Sequence, residues 1–152
     1  MRKTALALLA ACGVFQVGKG LWFIVVRPPM LPEDEALTGA RLDALTRTAP
    51  GLPLWLDRVF TVLGGHILAT GLLALLAVYL LRNRTIDRAA LILLGAAGAM
   101  SVVLMSGVNF AIHSDYRWLL LLPALVWIIA VLLLARSALS RTEAPVHTAP
   151  ET

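Results

Sequence analysis

Four long apolar runs divide the chain, and prolines, glycines or charged residues bound each of them. The most sharply marked goes from Trp55 to Leu81. It opens on Asp57 and Arg58, carries Gly64, Gly65 and His66 near its middle, and ends against Arg82, Asn83 and Arg84. The others are Thr4 to Val26, Ala89 to Ile112 and Tyr116 to Ala135. A helix rises 1.5 Å per residue, so runs of about 20 residues cover the ~30 Å hydrocarbon core of a bilayer. The pattern predicts an all-α protein: a transmembrane four-helix bundle with spans at 4–26, 55–81, 89–112 and 116–135, forming one membrane domain over 1–135. Residues 136–152 are polar, hold two prolines and show no periodicity, so a disordered cytoplasmic tail is expected there.

The one long connection, Arg27 to Leu54, has its own pattern. Pro28, Pro29 and Pro32 stop the first helix, since proline cannot continue it and biases the preceding residue to extended geometry. Glu33, Asp34 and Glu35 then place acid where a helix dipole favours it. Leu37, Ala40, Ala44 and Leu45 have rough helical spacing, which predicts one short amphipathic helix, about 33–47, lying on the membrane surface. The acidic cluster reads as a solvated helix start rather than a metal site. Pro123 falls early in the fourth span, where a missing N–H costs least.

Composition supports the membrane reading: 59% of residues are hydrophobic and 14% charged, against roughly 45–50% and 25% in globular domains. A pI near 10.0 invites a nucleic-acid partner, but the basic residues flank the apolar runs, where orientation signals belong, and no nucleic-acid partner is expected. The connector from Arg82 to Arg88 has three arginines in seven residues. Short loops carry the positive-inside rule most strongly. The expected placement is therefore a bacterial inner membrane, both termini cytoplasmic and the acidic loop outside. Cys12 is the only cysteine, which excludes an intrachain disulfide and a dithiol redox pair. Leu9-Ala10-Ala11-Cys12 has the look of a lipoprotein cleavage box, but apolar chain continues to Val26, so Cys12 is read as part of the first span.

The candidate chemistry lies in the few polar residues inside the spans. Depth matching across the 82–88 connector sets His66 level with Ser101–Ser106 of the third span. Gly64 and Gly65 there, with Gly95 and Gly98 deeper in, would let those two helices approach closely. His66 then either bonds Ser101, Ser106 or a backbone carbonyl and ties the helices together, or serves as a ligand or proton carrier. Lys19 either snorkels to the headgroups or pairs with an acid, Asp57 being the plausible partner. Ser101, Met105, Asn109 and His113 recur every four residues on one stripe. Together these predict a polar pocket open to the outside, lined by Gln16, Lys19, Asp57, Arg58, His66, Ser106, Asn109 and His113.

No catalytic set emerges: there is no nucleophile–base pair, phosphate loop or carboxylate dyad. His66 and His113 differ too much in depth to grip one haem, so no cofactor or metal is expected. A small multidrug exporter needs a membrane-embedded acid, and these spans have none away from their ends.

Gly20-Leu21-Trp22-Phe23 late in the first span, an outside loop, then Arg58, Phe60, Gly64-Gly65 and Gly71 make the first half of the chain resemble small bacterial four-helix membrane proteins of the DoxX-like kind. The resemblance implies an integral membrane protein with no established reaction and carries over no catalytic residue. The function expected is an accessory or scaffold protein, or a small-ligand or lipid binder. The alternative is a small transporter subunit or a haem- or quinone-linked redox protein using the same pocket. Expected partners are the lipid bilayer and either another membrane protein or a second copy of this chain.

Overall fold

The computed structural model describes residues 1–142. Its elements are helices: α1 (Arg2–Val25), α2 (Pro32–Thr38), α3 (Leu42–Thr48), α4 (Leu52–Leu81), α5 (Arg88–Gly98), a π-helical turn at Ala99–Val103, α6 (Leu104–Ala111) and α7 (Arg117–Thr142). Four of these units are long and apolar enough to cross a membrane: α1, α4, the continuous α5–α6 run and α7. The protein is an all-α, multi-pass membrane protein.

Most large apolar side chains on these helices point outward, as on Leu72, Leu73, Leu93, Leu119 and Leu132. Lipid, not water, is their natural surrounding. With no hydrophobic drive between helices in lipid, association rests on close packing of small residues and on buried polar contacts. The first two spans show this directly. Gly13 faces Gly71 and Gly20 faces Gly64: a Cβ on Gly20 would lie 2.5 Å from the Leu68 nitrogen and 2.7 Å from the Gly64 carbonyl oxygen. Each helix repeats its glycine after seven residues, so the two stripes meet along one antiparallel seam.

The expected role of Gly64, Gly65, Gly95 and Gly98 is corrected by this seam. Gly64 packs against α1, at Phe23 and Gly20, not against the third span. Gly65 faces open space, and Gly95 has only one distant neighbour, Val131. Gly98 does admit a partner, the Trp127 indole of α7, which would overlap any side chain there.

The helices are not packed as a closed square. α1 lies against α4 on one side and α7 on the other, and α7 carries the α5–α6 run; among the described residues α4 and α5–α6 approach each other far less than either approaches its other neighbours. The core sits where the layers meet, with Leu9 and Cys12 of α1, Ala74 of α4, Val102 of the π turn, and Ala124, Trp127 and Ala130 of α7. Cys12 is buried and donates to the Pro123 carbonyl at 3.4 Å. At the connector end Arg2 bonds the carbonyls of Leu81 and Arg84, tying the start of α1 to the end of α4.

Three boundaries differ from expectation. The single amphipathic helix over 33–47 is two short helices, because Gly39 ends α2 in the left-handed conformation (φ 68°); glycine adopts this geometry without steric cost. α4 begins at Leu52, with Pro53 in its first turn, rather than at Trp55. α7 continues to Thr142, through the first part of the stretch expected as a tail. The rest of that expected tail lies outside the described residues.

Candidate functional site

The gap between α4 and α5–α6 is a crevice of about 1190 Å³. α1 forms its floor. Leu63, His66, Ile67, Thr70 and Leu73 line it from α4, and Ala97, Met100, Ser101, Leu104, Met105, Val108 and Asn109 from the third span. Leu63 and Leu73 on one lip, and Met100 and Leu104 on the other, are exposed. The crevice therefore opens sideways, onto surface that lipid covers. Leu31, Glu33 and Asp34 stand at its loop end.

The cations are the unusual part of the lining. Lys19 and Phe23 lie four residues apart on one face of α1, and Arg27 follows just past its end. Lys19 reaches the Met105 sulfur across the crevice, and its ammonium lies 5.9 Å from the Phe23 ring centre. Among the described residues, no carboxylate lies within ion-pair distance of it. Gln16, 2% exposed, lines the same floor, and among the described residues its Oε1 has no hydrogen-bond donor.

Arg27 is differently placed. Its guanidinium stacks 3.3 Å from the Phe60 ring centre and 5.4 Å from that of Phe23. It pairs with Asp34 at 2.8 Å while its side chain is only 5% exposed. The same Asp34 oxygen accepts the Leu31 N–H at 2.8 Å, and Arg27 donates to the Pro28 carbonyl at 2.9 Å. α2 is latched a second time, where buried Ser114 donates to Glu33 at 2.8 Å. The acidic helix start thus holds the loop onto the bundle. Asp34→Asn should remove the charge that compensates Arg27. A charged hydrogen bond contributes about 1.5–3 kcal/mol, and the half-open site puts the expected loss at the lower end. Thermal unfolding in detergent checks this, with loss of α2 protection in hydrogen exchange.

Other polar side chains are satisfied within their own helix, as non-aqueous surroundings demand. His66 Nδ1 donates to the Val62 carbonyl at 2.9 Å, Ser101 Oγ to Ala97 at 2.7 Å, Asn109 Nδ2 to Met105 at 2.9 Å and Thr61 Oγ1 to Asp57 at 2.9 Å. This corrects the expected tie: His66 bonds neither Ser101 nor Ser106. With Nδ1–H on a carbonyl, the neutral ring offers Nε2 as an acceptor.

Of the eight expected pocket residues, Gln16, Lys19, His66 and Asn109 line the crevice. Asp57 and Arg58 do not; they pair loosely with each other at 4.0 Å, and Lys19 turns to Met105 instead of Asp57. Ser106 is buried away from the crevice. His113 falls off its stripe because α6 ends at Ala111 and His113 takes a left-handed turn, φ 55°. The pocket is thus mainly apolar and lateral rather than a polar funnel at the loop side. Arg27, Phe60, Asp34 and Met105 were missed; the spacing of Lys19, Phe23 and Arg27 was the available signal.

Comparison with protein-family models, curated proteins and solved structures returns no match. Function is therefore argued from the crevice itself.

Proposed function

We propose that this is a multi-pass inner-membrane protein that binds a lipid-like small ligand between its second and third spans. The supporting observation is the crevice: apolar walls, lips exposed to the acyl region, and a lysine on its floor without a carboxylate partner. An ammonium in hydrocarbon is costly and marks functional positions in membrane helices. Charge balance supports an orientation with both termini in the cytoplasm, because Arg82, Arg84 and Arg88 crowd the short connector. The crevice then reaches toward the outer leaflet, under the Arg27–Leu54 loop.

Native mass spectrometry of the purified chain tests the reading. A co-purifying lipid-like molecule, retained at one per chain and lost on bulky substitution of Ala97, is the expected result. A second reading is an accessory protein whose partner helix fills the gap. The same exposed lips favour it, and it predicts cross-links from cysteines at positions 73 and 100 to another chain. Lipid-free protein with such cross-links would replace the first reading by the second.

A further inference from the structure

We propose that the crevice selects a single-chain amphiphile with a carboxylate head, seated on Lys19 with its tail between α4 and the third span; this rests on the lipid-binding reading above. Charge complementarity carries the argument. Among the described residues two cations line the crevice, Lys19 and Arg27, and of these only Lys19 has no carboxylate partner. Arg27 is paired with Asp34 and covered by the rings of Phe60 and Phe23, so its charge is compensated although its buried Nε has no hydrogen-bond partner among the described residues. Lys19 has a thioether and the face of the Phe23 ring near its ammonium, both weak partners, and no acid among the described residues. A monoanion at Lys19 would neutralise it where water is scarce. Gln16 beside it, buried and with Oε1 lacking a donor among the described residues, marks the same floor as incompletely satisfied.

Depth decides between classes of anionic lipid. Lys19 lies six residues before the end of α1 at Val25, so about 9 Å below it along the helix axis, with Arg27 beyond that end. A diacyl phospholipid holds its phosphate near the membrane surface, where Arg27 is already paired. A single-chain acid has a small head that can sink to Lys19, and its tail then meets Leu63, Leu73, Met100 and Leu104. Met105, whose sulfur now meets the ammonium, is a flexible side chain that can yield to a carboxylate.

The test uses the full chain in phosphatidylcholine nanodiscs. The probes are 9,10-dibromostearate, its methyl ester, and phosphatidylglycerol as competitor. Trp22 and Trp127 line the crevice and report by bromine quenching; Trp55 and Trp118 face outward and report partitioning of either probe. The acid should quench with an affinity roughly tenfold or more above the ester, phosphatidylglycerol should fail to displace it, and Lys19→Met should erase the acid–ester difference. The wild-type comparison needs no variant, so a folding defect in Lys19→Met does not blunt it. Equal quenching by acid and ester would overturn the carboxylate while leaving a lipid crevice. Displacement by phosphatidylglycerol would assign the site to diacyl lipid instead. Quenching by neither probe beyond partitioning would overturn both proposals.

Discussion

Trp127→Ala is expected to lower stability by about 3–5 kcal/mol, the range for deleting a buried aromatic side chain. The indole is 2% exposed and lies among Leu9, Cys12, Ala74, Val102, Ala124 and Ala130. It fills the space that Gly98 leaves open and donates to the Leu94 carbonyl at 3.1 Å. Removing it therefore does three things at once. It empties a site between α1, α7 and the π turn, leaves Leu94 without that donor, and removes the indole that packs on Gly98 of α5. Trp127→Phe separates these effects: most of the packing stays and only the hydrogen bond goes, for about 1 kcal/mol. Thermal unfolding of the two variants in detergent gives the ordering. Equal losses would mean that the hydrogen bond, not the volume, holds the third span.

Gly20→Val should cost about 3 kcal/mol, the upper part of the usual overpacking range. The nearest atoms to a new Cβ are the Leu68 nitrogen and the Gly64 carbonyl, at 2.5 and 2.7 Å. These are backbone atoms and cannot rotate aside, so α1 and α4 must move apart along the whole seam. Gly18 and Gly65 are the matched controls, since a Cβ on either meets nothing within 4 Å. Alanine at those positions should be neutral or stabilise by up to about 1 kcal/mol through helix propensity. A denaturant series on all three variants checks the contrast. Similar behaviour at Gly20 and Gly65 would show that the seam does not hold the first two spans.

Particular residues show why the sequence could be read only so far. The prolines at 28, 29 and 32 and the arginines at 82, 84 and 88 bound the helices in the structure much as they do in the sequence. These are local effects of backbone geometry and charge, and they act without knowledge of neighbours. The spacing of Leu37, Ala40, Ala44 and Leu45 suggested one loop helix, yet the left-handed conformation of Gly39 that ends α2 is seen only in the structure. The glycines carried too little information by type alone. Gly64 and Gly65 are adjacent and chemically identical, but a 100° turn of the helix puts one on α1 and the other in open space.

Lys19 shows the same division at the candidate site. An ammonium inside a span is legible as a costly group that needs an explanation. Its partner is not, because Asp57 and Met105 both lie far beyond it along the chain, on different helices, and depth along one axis does not fix which helices are neighbours. The chain's own pattern determined four membrane-length helices and the rarity of charge within them, since hydrocarbon favours helices whose backbone groups are satisfied internally. Tertiary structure alone decided that α1 sits between α4 and α7, that the second and third spans part, and that Lys19 faces the gap. Lipid is as apolar as leucine, so hydrophobicity cannot choose among helix faces; the choice falls to glycine seams and one indole, whose fit exists only once the helices are side by side.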